Sequence, residues 1–216
     1  MICWSCQRIV SWLMPTRLCH GCIGEIRDEF LLSRKIDLPE FESGLVLYQY
    51  QDRLRQMILD AKASNRMGAV KQVLRLVIFH PHIYEMLNWC DAITPMPGST
   101  WGKLRGKYDL VYFVSNKLAK KFTKPLIRLP VPWAWRLRKR SMSKTESPTR
   151  FDYIPESVVA RYQARLNQTG VHKILLVDDV STTGLTFRYM TPYFTGIKCK
   201  PLIIAGSNKL VEIGSG

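Results

Sequence analysis

KILLVDDVSTTGLT, residues Lys173 to Thr186, is the stretch whose reading decides the fold. Ile174 to Val177 form an apolar run containing β-branched residues, which suits a strand buried on both faces of a parallel sheet. Two adjacent carboxylates, Asp178 and Asp179, come next, followed by Ser181-Thr182-Thr183-Gly184 and a helix-like segment, LTFRYM, that breaks at Thr191-Pro192. An acidic strand tip, a hydroxyl-rich turn and a helix N-terminus together make a site for a phosphorylated sugar. The N–H groups of the turn and the positive end of the helix dipole receive a phosphate, and the Ser and Thr hydroxyls add donors. Gly184 lets the backbone come close or take a positive φ. The carboxylates stand at the carboxyl end of the strand, where open α/β sheets bind ligands. From there they can accept hydrogen bonds from a ribose diol, directly or through Mg²⁺. No G-x-x-x-x-G-K-[ST] occurs, so the turn is not a Walker A loop. The alternative is that the two acids only punctuate a strand end and cap a turn.

From Ile174 to Thr186 every position fits one pattern: four apolar residues, Asp-Asp-Val, Ser-Thr-Thr-Gly, an apolar residue, Thr. That run resembles the phosphoribosyl pyrophosphate (PRPP) motif of the type I phosphoribosyltransferases. The resemblance implies that Asp178, Asp179, Val180, Ser181, Thr182, Thr183, Gly184, Leu185 and Thr186 bind PRPP, with Asp178 and Asp179 as the catalytic carboxylates.

The surrounding 216 residues have room for one α/β core and a small appendage. A hydrophobic content of 46% is that of a globular chain. No apolar run approaches the roughly eighteen residues of a membrane span. The start, MICWSC, has neither a basic region nor an apolar signal core, so a cytoplasmic location is expected. The net charge of +15 is uneven: residues 101–150 hold 14 Lys and Arg against Asp109 and Glu146, and the rest of the chain 18 against 15 acids. An excess concentrated in one block points to a polyanionic partner, most commonly nucleic acid.

Cys3-x-x-Cys6 and Cys19-x-x-Cys22, twelve residues apart, have the spacing of a tetrahedral Zn²⁺ site. Four thiolates would satisfy a structural ion and leave no open position for catalysis. A pair of disulfides is the competing reading, disfavoured without a secretion signal. The intervening segment is too short to bury a core, so the metal would hold residues 1–30 together as a finger. Residues 31–216 would then form the α/β domain. His20 lies between two of the cysteines and reads as a surface residue.

Residues 23–43 read as a helix plus a linker, and GLVLYQY, Gly44 to Tyr50, as a strand. Leu54, Met57, Ile58 and Ala61 fall at helical spacing after Asp52, a candidate N-cap, and Lys62 sits just beyond that stripe. The next helix places Val70, Val73, Leu74, Val77 and Ile78 on one face. His80 and His82 read as loop or helix-end histidines, and Cys90 and Cys199 as buried thiols. DAITPMP, Asp91 to Pro97, is a short strand ending in a proline turn, and small and basic residues follow it up to Gly106. Val111 to Phe122 is a helix with a basic outer face, Leu126 to Leu129 a short strand, ESVVARYQARL a helix and KPLIIA the last strand. Strands near 45, 92, 126, 174 and 202 separated by helices describe a doubly wound, mainly parallel α/β sheet. Between 130 and 150, Trp133 and Trp135 precede Arg136, Arg138, Lys139, Arg140 and Lys144, in a region expected to be a mobile loop.

Two CxxC pairs, Pro95-Met96-Pro97 after a strand, Arg105-Gly106 beyond it and ILLVDDVSTTGLT near the other end together resemble the ComF family. The resemblance covers nearly the whole chain. It implies a type I phosphoribosyltransferase-like fold, with a mainly parallel sheet flanked by helices and a small N-terminal zinc finger built on the four cysteines. It implies Mg²⁺ bound with PRPP, and a pyrophosphate loop containing Met96, Pro97, Gly98, Arg105 and Gly106. It also implies a role in natural transformation, with imported single-stranded DNA and other DNA-uptake proteins as partners. The family's Arg-x-Arg-Gly-Phe-Asn is replaced here by Lys103-Leu104-Arg105-Gly106-Lys107-Tyr108-Asp109, and KTESPTR lacks the family's Gln. Trp133, Trp135, Arg136, Arg138, Lys139 and Arg140 are the candidate DNA contacts, since aromatic rings stack on unpaired bases while Lys and Arg follow phosphates. The same two tryptophans also fit a core. Three functions are consistent with these residues: a PRPP-binding protein that handles single-stranded DNA, a working phosphoribosyltransferase with an unidentified acceptor, and a zinc nucleic-acid module on a vestigial fold.

Overall fold

Five strands make one sheet in the computed structural model, which describes residues 2–3, 6–9, 19, 21–22, 24–25, 34–63, 67–97, 108–130 and 155–207. In chain order they are β1 (Arg34–Ile36), β2 (Gly44–Gln49), β3 (Ala92–Pro95), β4 (Lys173–Ser181) and β5 (Lys198–Gly206). They lie side by side as β1-β2-β5-β4-β3, parallel throughout except for β1, which runs antiparallel along β2. Parallel neighbours require crossover connections, and helices supply them. α1 (Asp52–Lys62), α2 (Met67–Ile78) and α3 (Ile83–Trp89) link β2 to β3. α4 (Leu110–Lys121) and α5 (Glu156–Gln168) lie between β3 and β4. α6 (Leu185–Arg188) and a 3₁₀ turn, Thr191–Phe194, lead from β4 to β5. This is the α/β class read from the spacing of strand-like and helix-like runs.

The apolar run at Ile174–Val177 is continuous because both faces of β4 are covered. Leu175 and Val177 pack with Leu54, Met57, Val73 and Leu118 from α1, α2 and α4. Ile174 and Leu176 pack on the other face with Tyr162, Leu166, Phe187 and Tyr193. At the β2–β5 seam a Cβ on Gly44 would lie 2.7 Å from the Pro201 carbonyl oxygen, so glycine is what allows the two strands to approach.

Some elements differ from expectation. Arg34–Ile36 is a strand rather than part of a helix or linker, because Ile36 reaches the core at 1% exposure while Arg34 and Lys35 stay outside. The strand expected at Leu126–Leu129 is a single parallel bridge from Leu126 to Ile93. Pro125 and Pro130, which have no N–H to donate, confine it. Asp52 is the first residue of α1, and Gln51 occupies the cap position. The boundary expected at residue 30 falls outside the described residues.

His80, in the turn before α3, is 1% exposed and lies edge-on to Tyr48. The His82 N–H donates to its Nδ1 at 3.3 Å, which requires that nitrogen to be unprotonated. Burial, reinforced by the neighbouring His82, pushes its pKa down to about 4. Above about pH 6.5 neither the folded nor the unfolded chain protonates this ring; between 6.5 and 4 only the unfolded chain does, so stability is lost as the pH is lowered across that window. Urea unfolding at pH 7 and pH 4 is expected to show wild type losing about 3 kcal/mol more than His80→Gln, and equal losses would refute it.

Candidate functional site

β4 is longer than one of its neighbours. β3 pairs with it only from Ile174 to Val177, whereas β5 stays alongside as far as Ser181. Beyond Pro95 the Met96 N–H donates to the Val177 oxygen at 2.8 Å. Asp178, Asp179, Val180 and Ser181 therefore lie beyond the last residue of β4 that pairs with β3, and stay paired with or alongside β5. The acidic pair lies inside β4 rather than just past it, as the apolar run alone suggested.

Alternation along the strand sends the two carboxylates to opposite faces. Asp178 is buried, and its Oδ1 accepts the Asp179 N–H at 2.9 Å. Asp179 turns toward α1, where its Oδ1 meets Lys62 Nζ at 2.9 Å, with side-chain exposures of 14% and 35%. Burial pulls the Lys62 pKa down, but Asp179, with smaller contributions from Asp178 and Tyr50, outweighs it and leaves the ammonium above its ordinary value. Lys62 is the partner of the acidic pair to which the sequence reading gave no role. Its signal was its register: it lies four residues after Ile58, in line with the buried stripe of α1, where a lysine needs a reason.

After Ser181 the chain turns sharply. Gly184 takes a left-handed conformation, φ 71°, and its N–H donates to Ser181 Oγ at 3.2 Å. Ser207, beyond β5, donates its hydroxyl to the Thr182 oxygen at 3.1 Å and fixes the turn from the other side. Thr182 and Thr183 are exposed, and Thr186 is half-buried. α6 is a single turn, Leu185–Arg188, so a phosphate here would depend on the N–H groups and hydroxyls of the turn and little on a helix dipole. Met96 is buried and Pro97 half-buried at the end of β3. Gly98, Arg105 and Gly106 lie outside the described residues, as do Trp133, Trp135, Arg136, Arg138, Lys139 and Arg140. The described residues on either side of 98–107 are both held by the fold, Met96 as above and Tyr108 through its N–H, which donates to the Lys62 oxygen at 3.3 Å.

The donor set suits a magnesium-bound sugar phosphate. Two carboxylates offer the hard oxygen ligands that Mg²⁺ takes, and the hydroxyls and amides of the turn suit a phosphate.

The second cluster is Cys3, Cys6, Cys19 and Cys22, whose sulfurs all lie within 4.8 Å of one another. Cys3–Cys22, Cys6–Cys19 and Cys19–Cys22 are 3.7, 3.5 and 3.4 Å apart. No disulfide joins them. Sulfurs about 2.3 Å from a central Zn²⁺ would stand about 3.8 Å apart, close to what is found, so the cluster can hold zinc. An Ile2–Ile9 bridge closes the first knuckle, and the Gln7 N–H donates to the Cys3 oxygen at 2.9 Å. Hydrogen bonding from the Cys22 backbone is the main influence holding the Cys19 thiol below the usual range, as a ligand thiolate requires. Arg53 of α1 donates to Cys22 Sγ at 3.0 Å and pairs with Glu25, tying the cluster to the sheet domain. His80 and His82 join no comparable group among the described residues.

The chain is similar in structure to orotate phosphoribosyltransferase from Aeropyrum pernix, at 15% identity and a TM-score of 0.35, over 89% of this chain and 86% of that one. No protein-family model and no curated protein matches the chain. Among the described residues no helix is long and apolar enough to cross a membrane.

Elemental analysis of the purified protein is expected to find one zinc per chain, and Cys19→Ser to give insoluble protein. A soluble Cys19→Ser variant that lacks zinc and melts at the wild-type temperature would show that the cluster carries no structural load.

Proposed function

We propose that the tip of β4 binds PRPP with Mg²⁺, and that the chain is a phosphoribosyltransferase-like member of the ComF family that handles single-stranded DNA in the cytoplasm during natural transformation. The observation that carries the ligand assignment is the tip of β4: beyond its pairing with β3 it bears two adjacent carboxylates, one of them paired with Lys62, and runs straight into a hydroxyl turn pinned at Gly184. Asp178 and Asp179 accept hydrogen bonds from the ribose diol. The Ser181–Gly184 turn takes the 5-phosphate, and the segment beginning at Met96, with Pro97, Gly98, Arg105 and Gly106, faces the pyrophosphate. Magnesium, when bound, supplies charge neutralisation at the pyrophosphate.

Support for DNA comes from the uneven charge and the family resemblance. Within the +12 block, Lys117, Lys120, Lys121, Lys124 and Arg128 are described; Arg128 stacks 3.9 Å from the Tyr112 ring centroid. A guanidinium on an aromatic ring is the kind of platform that meets unpaired bases. Trp133, Trp135 and the basic run to Arg140 extend the proposal.

Transfer chemistry is the second reading, favoured by a site that retains both carboxylates beside a charged lysine. Departure of pyrophosphate from C1 passes through an oxocarbenium-like state, which these groups would stabilise by fixing the ribose and neutralising the leaving group. The acceptor is unassigned.

Calorimetric titration of PRPP with Mg²⁺ into wild type is expected to show binding, and the double variant Asp178→Asn, Asp179→Asn to show none. The same variant should still bind oligo(dT), with a log–log salt slope of about −3.5 if five phosphates are neutralised. PRPP affinity that survives the double substitution would overturn the site. Pyrophosphate release with any member of a nucleobase panel would establish catalysis.

A further inference from the structure

Lys62 lies outside the motif that defines the site, yet it makes an ion pair with a carboxylate at the site's centre. Its Nζ is 2.9 Å from Asp179 Oδ1, and Asp178 and Tyr50 add to the field that keeps it charged. A divalent ion that bridges this carboxylate to a sugar diol competes with the ammonium for it, and the repulsion between two cations at contact distance weakens the lysine's hold. Entry of a metal-bound sugar phosphate therefore favours release of the lysine. With its side chain about one-third exposed, on four rotatable methylenes at the end of α1, it is free to swing. Its backbone oxygen receives the Tyr108 N–H at 3.3 Å, which fixes the root of the side chain.

We propose that Lys62 is a two-position residue of this site: in the free protein it neutralises Asp179 and keeps divalent ions out, and in the complex it transfers its charge to the diphosphate of the ligand. The proposal rests on the reading of the β4 tip as a PRPP site. Without ligand, Asp178, Asp179 and Lys62 sum to a single negative charge, a weak attraction for a bare divalent ion. The incoming diphosphate brings several negative charges, which give the displaced ammonium a better partner than the carboxylate it leaves. Metal and ligand then enter together, and metal alone is rejected.

The test uses zinc-loaded protein, Mn²⁺ as the metal probe and Lys62→Met and Lys62→Arg as variants, with thermal melting to verify folding. Free Mn²⁺ is read by electron paramagnetic resonance, and PRPP with Mg²⁺ by calorimetry. Lys62→Met is expected to bind bare Mn²⁺ at least about fivefold more tightly and PRPP at least about fivefold more weakly, while Lys62→Arg stays near wild type in both. Opposite signs are the signature, since a merely structural lysine would lower both affinities or neither. Bare Mn²⁺ affinity that is unchanged or reduced in folded Lys62→Met would overturn the proposal. A wild type that binds no PRPP would instead overturn the reading of the site, and the Mn²⁺ arm would still report on the lysine.

Discussion

The site exists because neighbouring parallel strands stop at different levels. β4 is hydrogen-bonded on both sides up to Val177 and on one side from Asp178 to Ser181. Where both neighbours are present, backbone groups are consumed and side chains are packed away, and only apolar residues fit. Beyond the end of the β3 pairing, the backbone of the same strand is still held straight by β5. Polar side chains placed there are positioned by a ladder rather than by a loop. Asp178 and Asp179 occupy that interval, and the turn at Gly184 begins where the ladder ends.

α1 connects the two chemical clusters. Arg53, one residue after its start, reaches Cys22 Sγ, and Lys62, its last residue, reaches Asp179. Their positions on the helix are about 13 Å apart along its axis. Between those ends Leu54, Met57, Ile58 and Ala61 are fully buried, so the helix is set against the sheet as a rigid strut. Cys3 and Cys22 belong to the same apolar cluster as this stripe. The cysteine knuckles are thus packed against the element that delivers the lysine.

The strand–acid–turn order around Asp178 was legible in the residues because each part has a local cause: β-branched apolar side chains, adjacent carboxylates, and a glycine whose positive φ costs nothing. The cysteine spacing was legible for the same reason, since a tight knuckle is a property of a few consecutive residues. What stayed hidden depended on distant partners. Lys62 looked like a helix-end lysine, well placed near the negative end of a dipole, and nothing within its own helix reveals that Asp179 lies opposite. β1 was missed because a three-residue strand with one inward side chain, Ile36, has too little pattern to separate it from a linker. Leu126–Leu129 was overvalued because β-branched composition cannot register that prolines at both ends deny it a ladder.

The residue order alone determined that this is an α/β protein with a cysteine cluster and an acidic, hydroxyl-rich turn, since periodicity, spacing and turn chemistry are short-range properties that survive without neighbours. The tertiary structure decided how far β3 extends beside β4. It also decided that Lys62 pairs with Asp179 and that Arg53 joins the cysteines to the same helix. Those are contacts between groups tens to more than a hundred residues apart, and only packing sets their distances.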